Sequence, residues 1–111
     1  MTKEQLRYYQ TIKKEHRQIE QRLRNLERQP ESDQATLKPL QECYTKKLEE
    51  LVTAQLEIEE AITVLDPVER ELVRMRYIDG LSWYKIQTRI NYSEKQTHRI
   101  HARALIKLKK V

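Results

Sequence analysis

The sequence contains no phenylalanine, one glycine, three prolines and one cysteine among its 111 residues. So few glycines and prolines leave little material for the turns that a protein of many short strands needs, and they favour helices almost everywhere. The single cysteine, Cys43, excludes a disulfide within the chain and fits a reducing compartment. We therefore predict an all-α protein.

The sequence also lacks a long hydrophobic run and the residue groupings of an enzyme. No apolar segment approaches the length of a membrane span, and the start, MTKEQLRYYQ, has no hydrophobic segment typical of a secretion signal. His98 and His101 have no third or fourth partner at metal-ligand spacing, and no glycine-rich phosphate loop is present. We expect no catalytic activity, no metal site, no cofactor and no membrane partner.

Positive charge is concentrated at one end of the chain. Residues 81–111 contain eight Lys or Arg and one carboxylate, Glu94, whereas residues 1–65 carry a net charge of −1. A basic segment joined to a nearly neutral one favours a polyanionic partner for that segment. The alternative, which charge alone leaves open, is a solvated helix with no such partner.

The final basic stretch predicts a helix with two distinct faces. Ser93 is followed three residues later by Gln96, the spacing of a capping box, so the helix should begin at Glu94. The predicted inward positions are Thr97, Ile100, Ala104, Leu105 and Leu108. The other faces carry Lys95, Gln96, His98, Arg99, His101 and Arg103. Such side chains hydrogen-bond to base edges and phosphates, as a helix in the major groove must do.

Two shorter helices are predicted to precede it. Asp66, Pro67 and Glu69 form the start signal of the first, which should stop at the only glycine, Gly80. The second, Trp83 to Ile90, follows an N-cap at Ser82 and ends at Asn91, a residue type that tolerates positive φ. Three helices with this tight corner indicate a helix-turn-helix domain over residues 66–111.

The remainder, residues 1–65, is predicted to form an antiparallel, coiled-coil-like hairpin of two helices. The first spans residues 2–28, and the residues from Gln29 to Asp33 form a turn by composition. In the second helix, which should end at Leu65, apolar residues recur every seven positions at Leu37, Tyr44, Leu51, Ile58 and Leu65. A thin hairpin buries little surface, so we expect homo-oligomerisation through residues 2–65; packing only on its own helix-turn-helix is the alternative.

Two runs within residues 65–108 resemble region 4 of the sigma-70 superfamily. They are LDPVERELVRMRYIDGLSWYKI, from Leu65 to Ile86, and INYSEKQTHRIHARALIKL, from Ile90 to Leu108. The shared features are E-R-x-L-x-x-R-Y, D-G-x-S and the terminal A-L-x-x-L. The version of the family that the runs look most like is carried by small phage regulators of the ArpU and RinA kind. The N-terminal hairpin lies outside the resemblance.

The resemblance implies that helix 94–108 enters the major groove of double-stranded DNA. By motif position, the implied base-reading residues are Glu94, Lys95, His98 and Arg99, with Gln96 at the flank of the groove. The residues implied to contact the DNA backbone are Ser82, Trp83, Lys85, Arg89, Ser93, Arg103 and Lys107.

We interpret the chain as a sequence-specific DNA-binding transcriptional regulator, encoded by a phage or prophage and acting in the cytoplasm of a bacterial host. One alternative is a small terminase subunit, which recognises DNA for packaging and assembles into a ring. Another is a sigma-like module that binds RNA polymerase, as region 4 does in sigma factors. The sequence leaves these alternatives open.

Overall fold

The computed structural model describes residues 1–29 and 34–111, and within those ranges the chain forms helices and no strand. The helices are α1 (Lys3–Glu27), α2 (Gln34–Ala61), α3 (Pro67–Val73), α4 (Trp83–Ile90) and α5 (Glu94–Leu108). A 3-10 turn, Ile62–Val64, follows α2, and a π-helical turn, Arg74–Ile78, extends α3. The prediction of an all-α protein is confirmed. Residues 30–33 of the predicted turn lie outside the described ranges.

The two long helices, α1 and α2, form the predicted antiparallel hairpin. Tyr9 lies beside Gln55, and further along α1 the ring of His16 lies 4.7 Å from that of Tyr44. Residues later in α1 therefore contact residues earlier in α2, so the two helices are antiparallel. A capping box between Thr2 and Gln5 fixes the start of α1.

The heptad positions of α2 are covered, but the neighbouring row is not. Leu37 and Ile58 are buried, and Ile58 belongs to a cluster with Leu6 of α1. Leu48, four residues after a heptad position, is exposed. Val52 and Leu56 are exposed on the same side. Residues four apart lie on one helical face, so Leu48, Val52 and Leu56 form an uncovered apolar row, here called the α2 stripe.

A buried cluster joins the hairpin to the C-terminal helices. Leu6 of α1 and Ile58 of α2 belong to the same cluster as Tyr77, Ala104 and Leu108. The predicted boundary at residues 65 and 66 therefore marks a change of sequence pattern, while the packing continues across it. Within the described residues, none of the helices combines the length and the apolar character that crossing a bilayer would require.

The helix-turn-helix has its own small core and two left-handed turns. Its apolar cluster contains Leu72, Met75, Ile86 and Ile100. Gly80 has φ +71° after the π-helical turn, and Asn91 has φ 59° and ψ 41° between α4 and α5. Both positions were predicted from residue type, because glycine and asparagine adopt this conformation at low cost.

Candidate nucleic-acid interface

The N-terminal half of α5 forms an exposed, mixed-charge surface. Its side chains are Glu94, Lys95, His98 and Arg99, together with Ala102 one turn further along the helix. We call this group the α5 face. The capping box predicted at Ser93 is present, with the Gln96 backbone N–H donating to Ser93 Oγ at 3.2 Å. The start of α5 is thereby fixed, and the residues that follow it project from a rigid helical turn.

Charges on the α5 face are mostly uncompensated within the protein. Glu94 lies 4.0 Å from Nε2 of His98, one turn further on, and this is an ion pair only when His98 is protonated. Within the described residues, neither Lys95 nor Arg99 has a carboxylate within salt-bridge distance. Two cations and one anion are therefore available to an external partner.

The side of α5 away from this face is held by a buried carboxylate. Glu69 of α3 is 0% exposed, and its Oε2 accepts a hydrogen bond from Arg103 Nε at 3.0 Å. Its Oε1 accepts from Lys107 Nζ at 2.8 Å and from the backbone N–H of Asp66 at 2.9 Å. Burial alone would raise the pKa of Glu69, but these donors outweigh burial and hold it below its ordinary value. Glu69 thus completes the capping box of α3 and also binds two cations of α5.

Arg103 and Lys107, two of the predicted DNA-backbone contacts, are therefore already engaged. The side chain of Arg103 remains 58% exposed, so its terminal nitrogens still reach solvent while Nε binds Glu69. Lys107 also lies 3.4 Å from the carboxylate of Asp66. Any role for these two cations toward DNA would have to be shared with Glu69.

The prediction that His101 faces outward with the DNA-reading side chains is wrong. His101 is only 8% exposed, and its Nε2 lies 2.6 Å from the hydroxyl of Tyr77. Burial, followed by the positive charges of Lys3, His98, Arg76 and Arg7, lowers the pKa of His101 to about 4. His101 is therefore a neutral packing residue behind the α5 face.

Trp83 of α4 contacts two histidine side chains of α5. Its ring centroid lies 4.8 Å from that of His98 and 4.7 Å from that of His101. Cζ of Arg76 also lies 4.5 Å from the Trp83 ring centroid, within cation–π range. Trp83 is half-buried, so it packs against His98 while part of its side chain remains accessible to solvent.

The remaining predicted backbone contacts lie on or beside α4. The Ser82 hydroxyl accepts the backbone N–H of Lys85 at 3.3 Å, which confirms Ser82 as the N-cap. Lys85 and Arg89 are exposed, and neither has a carboxylate within salt-bridge distance in the described part of the chain. These residues, Ser93 and the α5 face thus lie on neighbouring helices of one helix-turn-helix.

Sequence reasoning did not find two residues that shape this region. Glu69 was predicted only as a capping residue, because its cationic partners lie 34 and 38 positions away and no local pattern links them. Arg76 received no role, although it packs on Trp83 and its Nη1 donates to the Leu81 carbonyl at 3.1 Å. Within the described residues, no three His, Cys, Asp or Glu side chains form a group suited to a metal.

Comparison with known proteins agrees with this geometry. The model of the family described as sigma-70, region 4 matches residues 61–110. The matched range begins at the end of α2 and includes α3, α4 and α5. Comparisons with curated proteins and with solved structures found no match.

Proposed function

We propose, from the sigma-70 region 4-like helix-turn-helix at residues 61–110, that this protein is a sequence-specific regulator of transcription that binds double-stranded DNA. The single observation that carries the proposal is the α5 face, where Lys95 and Arg99 project without a carboxylate partner from a firmly capped helix. A helix of this kind fits the major groove, whose base edges present the acceptors that these cations need.

The side chains of the α5 face suit different base edges. Arg99 and Lys95 can donate to O6 and N7 of guanine, and Glu94 can accept from N4 of cytosine. His98, held by Trp83, can donate or accept according to its protonation. Gln96 is partly occupied by the cap, since its side-chain oxygen accepts from the Ser93 N–H at 3.2 Å, which favours a place at the edge of the groove.

The backbone contacts that we propose come chiefly from α4 and its cap. Ser82 caps α4, and Lys85 and Arg89 lie on it. The first helix of a helix-turn-helix crosses the phosphate backbone in a DNA complex. Ser93 and Trp83 adjoin these residues, whereas Arg103 and Lys107 would contribute while still bound to Glu69. These contacts set orientation and affinity without selecting a sequence.

We further propose that the protein is encoded by a phage and that it forms a homodimer through the hairpin. Support comes from the α2 stripe, which is symmetric about Val52: in two antiparallel copies of α2, Leu48 of one lies opposite Leu56 of the other. Such a self-complementary row is what a two-fold interface requires. A dimer would read an inverted repeat with half-sites spaced by about one turn, ~34 Å, or a multiple of it.

Selection of bound duplexes from random DNA, followed by affinity measurements across salt concentrations, tests the proposed function. We expect one sequence to be enriched and its binding to weaken with salt. Contacts with about five phosphates should give a log–log slope near −4.5. A scrambled duplex of equal length is the control.

A protein-binding role is the second candidate, because the α2 stripe is an uncovered apolar row on the helix outside the matched family range. In that case the chain would bind RNA polymerase as its main partner. The same titration separates the two roles: no sequence enrichment and a flat salt response, together with saturable binding to polymerase, would contradict the DNA-reading proposal.

A further inference from the structure

A polar cleft lies between the start of α1 and the helix-turn-helix. Its volume is about 280 Å³, and its walls include Lys3 and Arg7 from α1, Arg76 from the π-helical turn, and Trp83 from α4. None of its lining residues is acidic. Three cationic side chains from two separate parts of the chain thus converge on one small space.

Several cations elsewhere in the described residues pair with a carboxylate of another helix, but the cations of the cleft do not. Arg74 pairs with Glu59 at 2.7 Å, and Lys47 pairs with Glu15 at 2.5 Å. In the described ranges, Lys3, Arg7 and Arg76 have no carboxylate within 4.0 Å. Bringing like charges together without a counterion costs energy, so the cleft is electrostatically prepared for an anion.

The start of α1 is held firmly enough to form a site. Leu6 is fully buried in the cluster with Ala104 and Leu108. The Gln10 amide donates to the Tyr77 carbonyl, and Lys13 Nζ donates to the Ile78 carbonyl at 2.8 Å. The start of α1, which carries Lys3 and Arg7 one turn apart, is therefore held against the π-helical turn.

The cleft also adjoins the proposed DNA surface. Trp83 forms one of its walls and packs against His98 of the α5 face with its ring. Ser82 and Trp83 begin α4, the helix that crosses the phosphate backbone when α5 occupies the major groove. The strand that passes the start of α4 would therefore continue over the cleft.

We infer that Lys3 and Arg7 of the hairpin, together with Arg76, bind a phosphodiester of the DNA backbone beside the groove that α5 occupies. The hairpin then acts directly in DNA binding, although it lies outside the residues that match the family. This inference rests on the proposed function and deepens it. Because phosphates are the same in every sequence, the cleft adds affinity and salt dependence and no base preference.

The test compares two double variants of the full chain that remove the same charge. Lys3→Gln/Arg7→Gln removes the two α1 cations of the cleft, whereas Arg17→Gln/Arg28→Gln removes an exposed cation from the middle of α1 and another from its C-cap. Arg17 is ten residues beyond Arg7, ~15 Å along the helix, which exceeds the screening length of ~8 Å at physiological salt. Circular dichroism and thermal unfolding verify that both variants fold as the wild type does.

Binding of each protein to the selected duplex and to its scrambled control is measured across salt concentrations. We expect Lys3→Gln/Arg7→Gln to reduce the magnitude of the salt slope by about 0.9 for both duplexes, the value for one phosphate contact, with an unchanged ratio of the two affinities, and Arg17→Gln/Arg28→Gln to match wild type. Identical slopes for the two double variants would overturn the inference while leaving the proposed function intact. A wild type that shows no salt-dependent DNA binding would overturn both.

A free phosphate ion is the alternative ligand of the cleft. Its binding can be followed by the fluorescence of Trp83, the only tryptophan. Titration with inorganic phosphate, followed by tryptophan fluorescence, should show no saturable response at physiological phosphate. Saturation that Lys3→Gln/Arg7→Gln abolishes, with an unchanged DNA salt slope, would assign the cleft to a free anion and overturn the DNA assignment.

Discussion

The hydroxyl of Tyr77 lies 2.6 Å from Nε2 of His101, and both side chains are buried between the end of α3 and α5. Burial raises the pKa of Tyr77 above its ordinary value, and burial with nearby cations lowers that of His101 to about 4. Both groups are therefore neutral near pH 7, and they share one hydrogen bond whose donor is set by the tautomer of the imidazole. This bond ties α5 to α3 behind the surface that we propose reads DNA.

The first prediction is that the folded state loses stability as the pH falls from 7 to 5. An unfolded chain protonates His101 near pH 6.5, whereas the folded chain resists protonation down to about pH 4. Stability is thus complete above pH 6.5 and declines below it. The expected loss by pH 5 is about 2 kcal/mol, measured by urea unfolding at the two pH values.

The matched variants for this prediction are His101→Gln and His98→Gln. The first removes the buried titrating group and should flatten the decline between pH 7 and 5. The second removes an exposed histidine from the same helix and should leave the decline in place. An unfolding free energy of wild type that is equal at both pH values would contradict the assignment to His101.

The second prediction concerns Glu69, whose negative charge holds Arg103 and Lys107. Glu69→Gln keeps an acceptor for the Asp66 N–H but removes the charge, and should lower the free energy of unfolding by about 2 kcal/mol. Because the pKa of Glu69 is lowered in the folded state, its contribution is present above the ordinary carboxyl pKa and is lost as the pH falls through the lowered value. This acid step lies below the one expected for His101.

Glu71→Gln is the control for Glu69, since Glu71 lies on the same helix but is exposed. It should change the free energy of unfolding by only a few tenths of a kcal/mol. Equal stabilities of the two variants in denaturant titrations at pH 7 would show that the buried carboxylate does not hold α5.

The sequence predicted the local features well because their causes are local. The capping pairs at Ser93 and Asp66, and the positive φ of Gly80 and Asn91, depend on residues within four positions of each other. The hairpin followed from a periodicity that depends on helical geometry alone. Sequence reasoning reached these elements without any knowledge of the tertiary packing.

The candidate site was harder to predict, because the charge of a residue does not show which way its side chain faces. His101 follows Thr97 by four residues and precedes Ala104 by three, so helical spacing alone places it on the inward row. Its residue type suggested DNA instead, and that interpretation was wrong. Arg103 and Lys107 also counted as free cations, because their partner Glu69 becomes a neighbour only when α3 packs on α5.

The third prediction addresses the proposed dimer. Leu56 of the α2 stripe is 63% exposed, and Leu56→Glu would bring a charge into the proposed apolar contact. We expect the wild type to show twice the chain mass of 13.5 kDa by light scattering, and the variant to show that mass once. The apolar-to-charged change removes the association because a carboxylate buried without a partner is costly.

Ile106→Glu provides the comparison, because Ile106 is similarly exposed, at 59%, but lies on α5 outside the hairpin. It should leave the mass of the wild type unchanged. A wild type that remains monomeric at high concentration would contradict the dimer. A particle of many subunits would instead favour the ring expected of a small terminase subunit.

The fourth prediction separates base reading from backbone contact on neighbouring helices. Arg99 lies on the α5 face and Lys85 on α4, and both are exposed cations. Arg99→Ala should cost ~1–3 kcal/mol at the selected site and relax preference at one base step. Lys85→Ala should weaken the selected and scrambled duplexes alike and reduce the salt slope by about 1. Affinities of each variant for a panel of single-base substitutions provide the measurement. The proposed reading face would be misplaced if Arg99→Ala weakened every duplex by the same factor, because a uniform loss is what a phosphate contact produces.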